Sequence, residues 1–342
     1  MFKFIRPVLF SLSPEISHKL IISLLIFARY IPFSGKIFRL LFQYRHPKLE
    51  REVMGLKFDN PIGLAAGFDK NGDIYNDMAN FGFGFIEIGS VTPKEQIGNP
   101  KPRLFRLVSD NALINRMGIN NKGVKHMVAS LEKRSPRVII GGNISKCTAT
   151  PNDSAAKDYE RSFAQLYDFV DYFTINVSCP NVKGLSKLQD ISSLSEIVDR
   201  LTALRRFYDN YRPILLKVSP DLTNEQLDEI VELVMISGLD GVVATNTTSK
   251  RENLVSAENL VKSIGEGGLS GAPLFDRSIE VIRYIQKKSN GIVPIIGSGG
   301  VTTVSRAKEM LDAGASLVQI YTGFIYNGPG FVKQILKSLA KK

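Results

Sequence analysis

The chain has 342 residues, 44% hydrophobic and 23% charged, a composition that excludes intrinsic disorder and collagen-like repeats and fits one large domain or two small ones. The formal net charge of +11 indicates an anionic partner, such as nucleic acid, a membrane surface or a phosphorylated ligand. Residues 1–45 carry seven basic side chains and one acidic side chain, so a net +6 lies in this segment. Two cysteines are too few for a disulfide framework, which favours a reducing, cytosol-facing environment.

Residues 1–45 predict two amphipathic helices. Ser13 is placed to cap the first, which Pro32 ends, and Ser34 is placed to cap the second. Apolar faces flanked by cations are typical of helices at an anionic membrane surface. A helical hairpin packed against its own domain would explain the same pattern. The longest apolar run, residues 20–28, is far shorter than the roughly 20 residues that span a bilayer, and no secretory cleavage site follows it.

Eight short apolar runs, each followed by a helical segment, occupy the rest of the chain. They are residues 61–67, 84–90, 138–143, 172–178, 213–219, 241–246, 293–300 and 316–322. Unbroken apolar strands that alternate with helices predict a parallel sheet covered on its faces, and eight such units fit a (β/α)8 TIM barrel. A doubly wound open sheet is the alternative, but no GxGxxG turn follows a first strand. The predicted domains are therefore an N-terminal helical segment, residues 1–45, and a barrel domain, residues 46–342.

Polar residues lie at the ends of these runs, where a barrel places its active site. They are Lys70, Ser90, Asn143, Asn176, Lys217, Thr245, Asn246, Tyr321 and Thr322, with the glycine-rich stretch 297–300. Each alone could be a cap or turn residue. Together they predict a ring of functional side chains.

The stretch 297–300 (GSGG) opens onto the start of a helix, an arrangement that suits a phosphate, with a tight turn without ligand as the alternative. Lys217 lies inside an apolar run, so its ammonium requires an anionic partner. This partner could be a flavin or a phosphate, with a structural carboxylate as the alternative. Asn115, Asn143, Asn176, Asn181 and Asn246 both donate and accept, which suits a pyrimidine-like ring, although asparagine also caps helices and fills turns.

Cys179 follows the fourth run and precedes a segment that could form a lid. A thiol there could act as a base, with buried packing as the alternative, and packing is the preferred interpretation for Cys147. The three histidines lie away from the strand ends, which disfavours histidine catalysis and a multi-histidine metal site, and no metal is predicted.

Several ordered motifs resemble the dihydroorotate dehydrogenase family. They are residues 65–72 (AAGFDKNG), 88–93 (IGSVTP), 101–106 (KPRLFR), 114–118 (INRMG), 176–181 (NVSCPN), 244–248 (ATNTT), 267–271 (GGLSG) and 317–323 (LVQIYTG). The N-terminal helices and the KPRLFR segment resemble its membrane-associated, quinone-linked branch (class 2).

This resemblance implies oxidation of dihydroorotate to orotate for pyrimidine synthesis, with FMN passing electrons to a membrane quinone. The implied FMN contacts are Ala66, Gly67, Phe68, Asp69, Lys70, Ser90, Asn143, Asn176, Lys217, Thr245, Gly271, Gly300, Tyr321 and Thr322. The implied substrate contacts are Lys70, Asn115, Arg116, Met117, Gly118, Ile119, Asn176, Asn181, Asn246 and Thr247, with Cys179 as catalytic base. Quinone would enter near His18, Arg106 and Tyr321. The implied location is peripheral, at the cytoplasmic side of the cell inner membrane, against an anionic lipid surface.

Cys179 departs from the quinone-linked branch, in which the base is usually serine, and is typical of soluble branches that reduce fumarate or NAD. A soluble-type enzyme is therefore an alternative. Another FMN barrel, such as a dihydrouridine synthase, would leave the amphipathic start unexplained. A nucleic-acid-binding protein is disfavoured, because the cations lie beside apolar helical faces and no nucleic-acid-binding motif occurs.

Overall fold

The computed structural model describes residues 2–133, 138–178 and 191–341. In chain order, the strands of these ranges are β1 (Arg51–Val53), β2 (Leu56–Phe58), β3 (Ile62–Leu64), β4 (Phe85–Val91), β5 (Leu104–Leu107), β6 (Ala112–Asn115), β7 (Ile139–Ile144), β8 (Tyr172–Asn176), β9 (Ile214–Val218), β10 (Gly241–Ala244), β11 (Gly268–Gly271), β12 (Ile295–Ser298) and β13 (Leu317–Ile320). Strands β3, β4, β7, β8, β9, β10, β12 and β13 form a closed parallel barrel. Each predicted apolar run overlaps one barrel strand, and β4 and β7 extend one residue beyond their runs. The closed sheet confirms the TIM barrel and excludes the open doubly wound sheet.

Helices cover the outside of the barrel and precede it. They are α1 (Phe2–Ser11), α2 (Pro14–Ala28), α3 (Ser34–Phe42), α4 (Tyr75–Met78), α5 (Val124–Leu131), α6 (Ala155–Leu166), α7 (Ile191–Arg205), α8 (Asn224–Ile236), α9 (Glu258–Ile264), α10 (Phe275–Lys288), α11 (Val304–Asp312), α12 (Thr322–Asn327) and α13 (Phe331–Leu339). Short 3₁₀ turns lie at Pro47–Leu49, Ala79–Phe81, Val108–Asp110, Asn152–Ser154 and Ala272–Leu274. An antiparallel sheet of β11, β6 and β5 flanks the barrel.

The barrel interior changes from apolar to polar along the strand direction. Its lower layer is a buried apolar cluster that includes Phe85, Tyr172 and Leu317, and Phe58 of the β1–β2 hairpin packs edge-on against Phe85. Two residues further along the same strands stand Glu87, Thr174 and Gln319, all buried. Since side chains alternate along a strand, these polar groups point into the barrel above the apolar layer. The closed lower end leaves the upper end for a ligand.

The N-terminal segment contains three helices rather than the predicted two. Helix α1 was not predicted, because Pro7 lies inside it and removes a backbone donor. Its packing compensates, since the Phe10 ring lies edge-on to Tyr326 at 5.3 Å. The Ser13 cap of α2 is confirmed, with its Oγ accepting from Ile16 N at 3.4 Å.

The predicted Ser34 cap is wrong. Ser34 is the first residue of α3, and its hydroxyl donates to the Ala28 carbonyl at 2.6 Å, so it satisfies the end of α2 instead. Phe33 occupies the position before α3 with φ 63° and makes no side-chain cap.

The N-terminal helices present one face to the barrel and another to solvent. Leu25 is buried in the main core, and Phe38 and Phe42 stack near Phe81. Large apolar side chains are nevertheless exposed along all three helices and their links: Phe4, Ile5, Val8, Leu12, Ile16, Leu20, Leu24, Phe27, Tyr30, Ile31, Phe33, Ile37, Leu40 and Leu41. Within the described ranges, no helix is both long and apolar enough to cross a bilayer.

Candidate active site

A cavity opens at the carboxyl ends of the barrel strands and is covered on one side by α2. Of the predicted substrate contacts, its lining contains Lys70, Asn115, Met117, Gly118, Ile119, Asn176, Asn246 and Thr247. Of the predicted cofactor contacts, it contains Ala66, Gly67, Lys70, Ser90, Asn176, Lys217, Thr245, Gly271, Gly300, Tyr321 and Thr322. Helix α2 contributes Glu15 and His18. Segments that are far apart in the chain thus meet in one site.

Several predicted contacts lie behind the lining or beside it. Asn143 is fully buried beneath Ser90, and Asp69 accepts from the backbone N–H groups of Asp73 and Ile74 at 2.9 and 2.8 Å. Burial raises the pKa of Asp69 to about 6, against the effect of these two donors. Cys179 and Asn181 lie outside the described residues.

Two predicted arginines make structural contacts away from the lining. The Arg116 guanidinium donates to the Pro102 carbonyl at 3.1 and 3.2 Å and to the Ile264 carbonyl, and it lies over the Phe105 ring. Arg106 donates to the Leu12 carbonyl at 2.6 Å. Both arginines therefore tie neighbouring segments together beside the cavity.

Side-chain amides form a connected cluster at the ends of β4, β8 and β10. Asn176 Nδ2 donates to Ser90 Oγ at 2.8 Å, and Asn246 Nδ2 donates to Asn176 Oδ1 at 3.2 Å and to Ser178 Oγ at 3.0 Å. The backbone N–H of Thr247 donates to Asn246 Oδ1 at 2.8 Å. Each amide is thereby held in one orientation, so the cluster offers a fixed pattern of donors and acceptors.

Sequence reasoning missed the buried carboxylate below this cluster. Glu87 is 0% exposed and accepts from Asn143 Nδ2 at 2.8 Å, Gln319 Nε2 at 2.7 Å, Thr174 Oγ1 at 3.0 Å and Tyr172 OH at 3.2 Å. Burial raises the pKa of Tyr172 well above its usual value, and the carboxylate adds to this effect, so the phenol stays a donor. The only signal in the sequence was an acid in the middle of an apolar strand.

Two lysines reach the cavity with different surroundings. Lys70 Nζ donates to Asn120 Oδ1 at 2.7 Å. Lys217 is 7% exposed, and no group of the described residues accepts a hydrogen bond from its ammonium. A buried ammonium without an acceptor is costly, so the cavity favours a ligand that brings an anionic or carbonyl oxygen to Lys217.

The glycine-rich turn after β12 presents free backbone donors. Nothing in the described part of the chain accepts from the N–H of Gly299 or Gly300. Gly300 has φ +75°, and a Cβ there would lie 2.4 Å from Phe275 Cα, so only glycine fits this turn. The turn precedes α11, and Arg306 of that helix donates to the Gly300 carbonyl at 3.3 Å. The geometry suits an oxyanion such as a phosphate.

Two of the three predicted quinone contacts meet around Phe68. The His18 and Tyr321 rings lie edge-on to the Phe68 ring at 5.2 and 5.8 Å, and His18 Nε2 is 2.9 Å from the Phe68 carbonyl. Burial, with the nearby Lys70 charge, lowers the pKa of His18 to about 4, so the imidazole is neutral near pH 7. Burial also raises the pKa of Tyr321 to about 12.

The third predicted quinone contact, Arg106, holds the junction of α1 and α2. Besides its bond to Leu12, it donates to the Leu9 carbonyl at 3.3 Å and to Ser17 Oγ at 3.0 Å, and its guanidinium lies over the Phe10 ring at 4.5 Å. The structure therefore places Arg106 as an anchor of these helices.

Comparisons with known proteins agree with this geometry. A family model described as dihydroorotate dehydrogenase matches residues 48–342. The chain is 51% identical over 338 residues to dihydroorotate dehydrogenase (quinone) of Christiangramia forsetii, covering 99% of this chain and 98% of that protein. It is 42% identical to the protein of the same name in Cellvibrio japonicus, covering 99% and 98%.

Solved structures give the same result. The crystal structure of DHODH from Eimeria tenella in complex with ferulenol superposes with a TM-score of 0.86 at 33% identity, covering 97% of this chain and 93% of that one. The chain belongs to the dihydroorotate dehydrogenase family.

Proposed function

We propose that this protein oxidises dihydroorotate to orotate in pyrimidine synthesis and passes the electrons through FMN to a quinone. The observation that carries the proposal is the meeting, in one cavity, of the oriented amides, α2 and the Lys217 ammonium, which has no acceptor among the described residues. The homologues named as quinone-dependent enzymes match this chain over nearly its whole length, α2 included.

FMN fits the chemistry of the residues that are present. Within the described structure the Lys217 ammonium has no acceptor, and the buried Gln319 Oε1 at the cavity lining has no donor. The pyrimidine edge of a flavin offers carbonyl oxygens and a ring N–H, and its phosphate suits the donors of Gly299 and Gly300. When bound, FMN takes up a hydride from the substrate and releases the electrons to an acceptor.

Dihydroorotate suits the other half of the cavity. Asn115, Asn176, Asn246 and Thr247 line it and offer amide and hydroxyl groups to a ring of alternating N–H and C=O. Lys70 offers a cation to the substrate carboxylate. Arg116 and Asn181 complete the predicted substrate set, with Arg116 as a support of the loop that carries Met117, Gly118 and Ile119.

Cys179 is the proposed base, which takes a proton from C5 of dihydroorotate as the hydride leaves C6. In the sequence it follows Asn176, the last residue of β8 and part of the cavity lining, by three residues. A thiol of pKa about 8.5 ionises far more readily than an alcohol, so it suits this role at neutral pH.

The proposed quinone path runs between α2 and the barrel mouth, past His18 and Tyr321. Neutral rings and the apolar Phe68 suit an uncharged, apolar acceptor. The exposed apolar face of the N-terminal helices, with its +6 charge, suits peripheral attachment to an anionic membrane, and we propose the cytoplasmic side of the inner membrane.

The direct test is to purify the protein, record its flavin spectrum and follow dihydroorotate-dependent reduction of a ubiquinone analogue, fumarate and NAD in parallel. We expect a yellow protein with FMN released on denaturation, and fast turnover with the quinone only. Preferential turnover with fumarate or NAD would favour the soluble-type alternative that Cys179 suggests. A colourless protein that cannot be reconstituted with FMN would overturn the proposal.

A further inference from the structure

Glu87 is a single carboxylate that contacts two side-chain amides leading to the cavity. Asn143 Nδ2 donates to one carboxylate oxygen, and Gln319 Nε2 donates to the other, together with the hydroxyls of Tyr172 and Thr174. An ionised carboxylate only accepts hydrogen bonds. Both amides must therefore turn their NH2 groups toward Glu87 and their carbonyl oxygens away from it.

The orientation of Asn143 propagates along one chain of hydrogen bonds. Because Asn143 Oδ1 faces Ser90, the Ser90 hydroxyl donates to it, and Ser90 Oγ in turn accepts from Asn176 Nδ2 at 2.8 Å. Asn176 Oδ1 then accepts from Asn246 Nδ2 at 3.2 Å, and Asn246 Oδ1 accepts from the Thr247 N–H at 2.8 Å. Every link runs in one direction, and all five of these residues are among the ligand contacts predicted from the sequence.

The orientation of Gln319 has a second consequence. With its NH2 on Glu87, its Oε1 is buried at the cavity lining and has no donor among the described groups. An unpaired buried acceptor is costly unless a ligand supplies a donor. Glu87 therefore sets the acceptor that Gln319 presents as well as the pattern of the asparagines.

We propose that Glu87 is the positioning residue of this site: its acceptor-only carboxylate fixes the direction of the amide relay through Asn143 and the carbonyl that Gln319 presents. Glu87 itself is fully buried and is not part of the cavity lining. The inference rests on the proposed function, because the ligands whose binding reports on it are FMN and orotate.

The sharpest variant is Glu87→Gln, which keeps the shape and replaces one acceptor by a donor. If the new NH2 faces Asn143, two donors meet, and the amides of Asn143 and Asn176 must both turn. If it faces the other way, Gln319 must turn instead. In either case one amide presents a donor to the ligand where the wild type presents an acceptor, or the reverse. We therefore expect at least one of the two dissociation constants, for FMN or for orotate, to rise about tenfold or more.

A relocated carboxylate should restore the pattern. In the double variant Glu87→Gln with Asn143→Asp, the Gln NH2 donates to the new Asp, which still accepts from Ser90. The Gln carbonyl still accepts from Gln319, Tyr172 and Thr174. Only the bond between positions 87 and 143 is then reversed, and every direction beyond this pair is as in the wild type, so we expect affinities within about threefold of the wild-type values. Tyr172→Phe is the matched control, since its hydroxyl donates to Glu87 but is not a member of the asparagine relay, and we expect a change below threefold.

The measurements are FMN binding to apoprotein by flavin fluorescence, orotate binding to holoenzyme by flavin absorbance, KM against kcat, and the melting temperature of each variant. Wild-type affinities in Glu87→Gln, or a double variant no better than the single one, would overturn the role of Glu87. If Glu87→Gln does not fold, soluble and ligand-binding protein from the double variant supports the proposal, and its failure overturns it. Wild-type holoenzyme that does not bind orotate would overturn the proposed function instead.

Discussion

At the scale of single residues, Lys217 illustrates a group that is unfavourable for the fold and favourable for the ligand. Its side chain is 7% exposed, and the described residues provide no acceptor for its ammonium. Burying a charge without a partner costs several kcal/mol, which a bound anion or carbonyl can offset. Stability and affinity should therefore respond in opposite directions when this charge is removed.

We expect Lys217→Met to raise the free energy of unfolding of the apoprotein by about 1–2 kcal/mol, because a flexible apolar side chain replaces a buried charge. The same change should weaken FMN binding about tenfold or more. Urea unfolding of the apoprotein and fluorescence titration with FMN measure the two effects. Lys308→Met, on the exposed face of α11, is the control and should alter neither. A less stable apoprotein with unchanged FMN affinity would contradict this account.

At the scale of elements, α2 is joined to the barrel by ion pairs near both ends. Glu15 accepts from Arg103 Nη2 at 2.9 Å in its first turn, and Arg29 beyond its last turn pairs with Asp77 of α4. Although burial opposes ionisation of Glu15, Arg103 and Lys101 hold its pKa below the usual value. These contacts fix α2 as one wall of the cavity.

Glu15→Gln should therefore affect the quinone step more than the substrate step. The substitution removes the charge that faces Arg103 and should loosen the first turn of α2, so we expect the KM for the quinone to rise about three- to tenfold. Stopped-flow reduction of the flavin by dihydroorotate should change less than twofold. Glu50→Gln, at an exposed position, serves as the control. If both half-reactions slowed equally, α2 would act on the whole site, and its assignment to the quinone path would be contradicted.

The barrel was predictable from the sequence, whereas parts of its start and of its site were not. Barrel strands such as β9 are buried on both faces and so appear as unbroken apolar runs. Helix α1 depends on a contact with Tyr326, far along the chain, which local patterns around Pro7 do not contain. The role of Glu87 is likewise invisible in the local sequence, because its four hydrogen-bond partners come from three other strands. The strand ends and the family motifs together identified most of the cavity lining, but not the carboxylate that orients it.

At the scale of the whole molecule, apolar exposure and positive charge coincide. Among the described residues, 14 of the 24 exposed large apolar side chains lie within residues 1–45, the segment that also carries a net +6 of the +11 charge. Such a surface favours an interface between water and anionic lipid, and its charged part is screened by salt.

We expect the protein to bind vesicles that contain anionic phospholipid, and to bind them less at high salt. Phe27→Gln and Leu40→Gln, at side chains 63% and 81% exposed, should each lower the partition coefficient about tenfold, since each buried large apolar side chain contributes about 1.5–3 kcal/mol. Phe207→Gln is the matched control, because Phe207 is 85% exposed but lies after α7 on the barrel. Vesicle sedimentation measures the partition, and equal binding by all variants would contradict the assignment of this face.

The contact between α1 and α12 also has a consequence for biosynthesis. Phe10 packs on Tyr326, and β13 must pair with β3 before the barrel closes. On a ribosome, α1 therefore emerges more than 300 residues before the helix that covers it. Throughout translation, the face of α1 that later packs on α12 is as exposed as the face that stays in solvent. The nascent chain therefore presents more apolar surface to a chaperone or a bilayer than the folded protein does.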